Sequence, residues 1–300
     1  MTEHASDSSD SGDTRDARDP HDASADPTRT AAPGTPGTPE GPIEWDATAY
    51  HRISDPQFRW GLRVLDRLTL QGDEVVMDAG CGSGRLTAEL CARLPRGRVV
   101  AVDRSQNMLE EARRTLAPFG DRVSFRVVNL QEESAEEPVD VVFSTATFHW
   151  IRDHRRLFGN LFASLRPGGR LHAQCGGAGN LHLVHHRAEA LMQRPEYAPF
   201  FEGWTDPWEF ASAESTAERL RDAGFEDVKT DLEEAPTPFP DAASFRIFIE
   251  RVVLRHHLAR LPDEATVAAF LDTLVAQSSR DEPPYNLAYI RLNMQARRPA

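Results

Sequence analysis

The most constraining feature of this sequence is a glycine-rich loop, Asp78-Ala79-Gly80-Cys81-Gly82-Ser83-Gly84. It follows the apolar run Glu74–Ala79 and precedes a helical pattern over Leu86–Leu94. Glycines at a strand-to-helix junction accept positive φ and let backbone N–H groups come close to a ligand. A dinucleotide loop needs glycines at relative positions one, three and six. Here those positions hold Gly80, Gly82 and Arg85, and the third glycine is Gly84 instead. Asp78 stands two residues before the first glycine. A carboxylate there repels a pyrophosphate and suits a cationic ligand group, which counts against an NAD-type oxidoreductase.

The chain around the loop alternates strand and helix. Strands are expected at Glu74–Ala79, Arg98–Asp103, Val123–Asn129, Val139–Ser144 and Leu171–Cys175. Helices are expected over Leu86–Leu94, Met108–Leu116 (capped by Ser105) and Leu157–Leu165. Such alternation implies an α/β fold with a parallel sheet and helices on both faces. The second half is less regular. It suggests helices at Glu214–Ala223, Phe245–Leu261 and Ala265–Val275, a strand at Asp227–Glu233 and a final strand at Leu287–Gln295.

Asp103 ends the second strand, about 20 residues past the loop, where a carboxylate can accept both hydroxyls of an adenosine ribose. With the loop, Asp103-x-Ser105-x-x-Met108-Leu109 resembles the class I S-adenosylmethionine-dependent methyltransferase superfamily. The resemblance covers roughly residues 45–176. It implies a Rossmann-like, seven-stranded, mostly parallel sheet with an antiparallel last strand and a helical lid insertion. It implies S-adenosyl-L-methionine as cofactor, held by Asp78, Gly80, Cys81, Gly82, Gly84, Asp103, Arg104, Met108, Asn129, Leu130 and Ser144. Many members carry an acid where Asn129 stands; its amide oxygen still accepts the adenine amino group.

The fourth strand runs into Thr147-Phe148-His149-Trp150, and Trp45-Asp46, Tyr50, Ser54 and Gln57 precede the first strand. Both stretches are similar to trans-aconitate methyltransferases and juvenile hormone acid methyltransferases. That likeness implies a substrate site at Tyr50, Gln57, His149 and Trp150, with Gln57 and Trp150 on a substrate carboxylate. An ionised carboxylate needs no base; a phenol, alcohol or carbon acceptor does, and His149 is the candidate catalytic residue. O-methylation of a small-molecule carboxylate leads. The other acceptors, and a non-catalytic protein that only binds S-adenosylmethionine, stay open.

Composition bounds the rest. Residues 1–42 hold nine acids, three arginines and six prolines, with no aromatic, Leu, Ile or Val, so a disordered acidic tail is expected there. The domain proper is expected over 43–300: lid helices at 43–72, the cofactor-binding core at 73–176, lid insertions and helices at 177–280, and the final strand within 284–298. A net charge of −13 without a basic stripe argues against a nucleic-acid partner. No run approaches ~18 apolar residues and no apolar leader segment opens the chain, so no membrane span and a cytoplasmic location are expected. The three cysteines and the cluster His182, His185 and His186 match no metal-ligand spacing, and no metal is expected. The expected assembly is a monomer or homodimer acting on a small molecule.

Overall fold

The computed structural model describes residues 55–300. The acidic tail 1–42 and the segment carrying Trp45, Asp46, Tyr50 and Ser54 lie outside the described residues. A helix, α1 (Asp55–Asp66), leads into β1 (Val75–Ala79), α2 (Arg85–Ala92), β2 (Arg98–Asp103), α3 (Gln106–Leu116) and β3 (Val123–Val127). Next come β4 (Val139–Thr145), α4 (His154–Ser164) and β5 (Leu165–Gly176). The second half holds α5 (His182–Met192), α6 (Ala213–Asp222), β6 (Glu226–Glu234), β7 (Thr237–Pro238), α7 (Ala242–Phe248), α8 (Arg255–Leu258), α9 (Glu264–Ser278), β8 (Asn286–Leu287) and β9 (Ile290–Arg297).

Seven strands form one sheet in the order β3-β2-β1-β4-β5-β9-β6. Pairs from β3 through β5 are parallel, and β9 lies antiparallel between β5 and β6. This is the Rossmann-like sheet expected from the sequence, with β9 covering most of the predicted last strand. Side chains alternate across it with period two. Val76, Val99, Ala101, Val141 and Phe143 pack under α1, α2 and α3. Met77, Val102, Val142, Leu171 and Ala173 pack under α4 and α6. Two sandwiched faces explain why the central strands read as continuous apolar runs rather than alternating ones.

A third apolar core stands apart from both sheet faces. It joins α5, α7, α8 and α9 to Trp60 of α1 and to Tyr289. The expected lid over 177–280 is therefore interrupted, because α6 and β6 belong to the sheet layers. The single helix expected over Phe245–Leu261 is also broken. A π-helical segment, Ile249–Val253, separates α7 from α8. The π turn leaves Phe245, Phe248, Ile249, Val252 and Val253 all in the third core, with Val252 and Val253 also bordering a neighbouring pocket.

Candidate active site

In open α/β sheets ligands bind beyond the carboxyl ends of the strands, where strand order reverses. Here β1 pairs with both β2 and β4, and a cleft of about 360 Å³ opens at that point. Gly80, Gly82, Asp103, Arg104, Met108, Asn129 and Leu130 border it, as the sequence led one to expect. Gly82 has φ 55°, and a Cβ added there would meet nothing within 4 Å, so its backbone faces open space. A Cβ on Gly80 would lie 2.1 Å from Thr147 Oγ1, so only glycine lets the loop pass this close to the end of β4.

Asp103 is the polar centre of the cleft. Gly82 N–H donates to its Oδ2 at 3.0 Å and Ser105 N–H to its Oδ1 at 2.9 Å. Burial pushes the carboxyl pKa up, and those two N–H bonds together with Arg104 oppose the shift. Each oxygen keeps one acceptor position, so the carboxylate is set to receive two more donors. Ser105 caps α3 by accepting from Met108 N–H at 3.2 Å, which fixes Met108 at the cleft wall.

Four of the expected cofactor residues do not border this cleft. Asp78 is buried behind it, accepting from Thr87 Oγ1 at 2.6 Å, and burial raises its pKa to about 7. Cys81 packs in the apolar core with Val64 and Leu109, and burial pushes its thiol pKa far up. Gly84 has φ 81° and lets α2 start against α3; a Cβ there would sit 3.2 Å from Ala112 Cα. Ser144 donates to Ala79 O at 2.6 Å and stitches β4 to β1. All four shape the loop from behind and do not face the cavity.

A second, smaller pocket of about 50 Å³ adjoins the cleft, with Ala146 and Trp150 bordering both. Ala146 takes φ 55°, a left-handed conformation uncommon for a residue with a Cβ. Gln57, His149, His185, Trp208, Phe210 and Arg291 are among the pocket's other walls. Tyr50, the remaining expected substrate residue, lies outside the described residues.

His149 stands in the wall of this pocket. Gly176 N–H donates to its Nδ1 at 3.2 Å. A backbone N–H can only donate, so Nδ1 carries a lone pair. Burial, with Arg291 and His154 nearby, holds the ring pKa well below its ordinary value. The ring is therefore neutral, and its single proton sits on Nε2. His149 offers the pocket an N–H donor, which fits hydrogen bonding to an anion and not proton abstraction.

The match with known proteins follows the same part of the chain. Residues 76–169 match the methyltransferase-domain family. That stretch of the chain is a methyltransferase domain. Two relatives are similar to it, both trans-aconitate 2-methyltransferases. The one from Azoarcus sp. (strain BH72) is 38% identical over 130 residues, 43% of this chain and 50% of the relative. The one from Methylobacterium nodulans is 34% identical over 182 residues, 61% of this chain and 64% of the relative. The chain thus spans between half and two thirds of the length of these relatives. Among solved structures, phosphoethanolamine N-methyltransferase 2 from Haemonchus contortus, in complex with S-adenosyl-L-methionine, shares the fold. Its TM-score is 0.55 at 19% identity, covering 85% of this chain and 57% of the other.

Sequence reasoning missed several residues at the cavities of the methyltransferase domain. Thr145, Ala146, Thr147, Arg152 and His256 border the cleft, and Trp208, Phe210 and Arg291 border the inner pocket. Those at the end of β4 were detectable from their place beside the His149-Trp150 pair. The others come from α8, from loops and from β9, and carry no local pattern. Among the described residues no cluster of three potential metal ligands occurs, and no helix is long and apolar enough to cross a membrane.

Proposed function

We propose that this protein uses S-adenosylmethionine to methylate an oxygen of a small-molecule carboxylate. The observation that carries the reading is the adjacency of the two cavities. A cleft centred on the Asp103 carboxylate shares the wall residues Ala146 and Trp150 with an inner pocket into which His149 offers an N–H.

The residues present fit the cofactor. Asp103 retains acceptor capacity for two ribose hydroxyls, Met108 and Leu130 give apolar walls for an adenine, and Asn129 supplies an amide beside them. The backbone at Gly80 and Gly82 leaves room for close approach. When bound, S-adenosylmethionine supplies a methyl group already activated by the sulfonium. The protein's share is alignment of the acceptor and exclusion of water. A carboxylic acid, with reference pKa near ~4, is ionised at neutral pH and needs no base. A neutral His149 with Nε2–H as donor holds such an anion, and Gln57 and Trp150 close the pocket around it. The chain's match to trans-aconitate 2-methyltransferases supports the same acceptor class.

The experiment is calorimetric binding of S-adenosylmethionine and S-adenosylhomocysteine, followed by mass-spectrometric detection of methyl esters from a panel of carboxylic acids. Micromolar cofactor binding and ester formation are expected. Binding without any ester, alongside methylated phenols or amines, rejects the carboxylate assignment.

A further inference from the structure

The inner pocket contains one polar side chain that the reading above leaves without a task. His185, on α5, lines the pocket, and both of its ring nitrogens are shut off from solvent without a hydrogen-bond partner among the described residues. Its ring is wedged between aromatic neighbours, with centroids 4.4 Å from Trp208 and 5.8 Å from Phe210. Gln57, on α1, repeats the pattern, because its Oε1 is also buried and unpartnered. Native interiors rarely leave buried polar atoms unpaired, and those that remain call for a bound molecule or water. Two such groups from separate helices converge on one cavity, which marks a site that a ligand completes.

Charge then limits what the ligand is. Among the described residues that line it, Arg291 is the only Asp, Glu, Lys or Arg. His149 is neutral, and burial pushes the pKa of His185 down to about 4. Arg291 also donates from Nε to Gln174 Oε1 at 3.4 Å and lies over the Trp60 ring at 4.7 Å. Among the described residues at most one guanidinium therefore serves an anion here. Arg104 and Arg152 border the outer cleft and not this pocket. Gln57 and Asn180 add neutral polar groups, and Leu181, Trp208, Phe210, Val252, Val253 and Tyr289 give apolar or aromatic walls. A second or third carboxylate would be desolvated against these walls without a counter-charge, which is strongly unfavourable.

We infer that His185 is a substrate-binding residue, and that with Trp208 and Phe210 it restricts the acceptor to acids carrying one carboxylate on an apolar body. Di- and tricarboxylates are rejected, although the relatives matched are named for trans-aconitate. The inference rests on the carboxylate reading above.

The test is titration of the full chain, saturated with S-adenosylhomocysteine, with octanoate and phenylacetate against trans-aconitate and citrate. The monocarboxylates are expected to bind at least ~10-fold more tightly. His185→Phe, which keeps a ring and removes both nitrogens, should weaken them ~5-fold or more and leave the S-adenosylhomocysteine Kd within ~2-fold. His185→Gln, which keeps a donor, should restore most of the loss and serves if the Phe variant does not fold. Equal or tighter binding of trans-aconitate, no binding of any acid, or an unchanged Kd in both variants overturns the inference. Product analysis separates it from the function itself. An ester formed from trans-aconitate and not from the monocarboxylates rejects the specificity and leaves carboxylate methylation standing. Methylated phenols with no ester of any kind reject both.

Discussion

Replacing Asp103 by Asn separates the two tasks of this side chain. In the folded protein each carboxylate oxygen already accepts one backbone N–H, from Gly82 and from Ser105. An amide has one acceptor oxygen, so in either orientation one of those N–H groups faces an NH2. That conflict costs about 1–3 kcal/mol, but it is present with and without cofactor and is felt as stability. Removing the charge offsets part of it, because burial raises the pKa of Asp103 and the ionised form strains the fold at neutral pH. The net loss of stability should therefore be about 1 kcal/mol or less. Binding has no such compensation. The ribose hydroxyls lose a charged acceptor, a change of about 1.5–3 kcal/mol, or a ~10- to ~150-fold rise in Kd at ~1.4 kcal/mol per decade. Calorimetry with S-adenosylhomocysteine measures the second quantity, and urea unfolding of the cofactor-free protein measures the first. A Kd within ~2-fold of the wild type would refute the ribose assignment. A binding loss matched by an equal loss of stability would reduce Asp103 to a loop-holding residue.

Three further outcomes are expected. Gly84→Ala should cost about 2–3 kcal/mol, since a Cβ at φ 81° is strained and lies 3.1 Å from Leu116 and 3.2 Å from Ala112 Cα; thermal unfolding should drop while the S-adenosylhomocysteine Kd stays within ~3-fold, and wild-type stability with lost binding would return Gly84 to ligand contact. For a carboxylic acid at saturating cofactor, kcat/KM should be flat from about pH 6 to 8, because His149 is neutral throughout and the acceptor is ionised throughout; an acidic limb that disappears in His149→Phe would make His149 a base after all. Asp78, with its folded pKa raised to about 7, favours the protonated native state, so its contribution to stability is complete below about pH 4 and is lost as pH rises towards 7. Asp78→Asn keeps a partner for Thr87 and should flatten that slope, which is at most about 1.4 kcal/mol per pH unit; urea midpoints at pH 5 and 8 that fall in parallel for both proteins would contradict the shift.

The donor half of the site was legible because it is built from contiguous sequence. A loop between β1 and α2 and an acid ending β2 must appear in fixed order at fixed spacing, so Gly80, Gly82, Asp103 and Met108 were readable as a set. The same readings stop at one level of detail. Spacing reveals that Asp78, Cys81 and Gly84 belong to the loop and that Ser144 ends β4, but not whether each faces the ligand or supports the loop from behind. Ser144 illustrates the difficulty: strand alternation turns its Oγ to Ala79 O at 2.6 Å, and only the pairing of β1 with β4 decides that.

The acceptor half follows a different logic. His149 and Trp150 were found because they abut β4, yet the chemistry of His149 depends on Gly176, which is 27 residues away and brought near by β5. No sequence pattern states which imidazole nitrogen receives a backbone N–H, and that single bond changes the side chain from base to donor. His185 and Trp208 come from α5 and the loop after it, and Arg291 from β9, each with intervals that other chains of this fold are free to change. Val252 and Val253 border the pocket from a segment that winds locally as a π turn, an irregularity that an uninterrupted 3.6-residue pattern conceals. On the proposed reading, substrate preference sits in contacts between distant segments, and the orphaned nitrogens of His185 are its most direct signal.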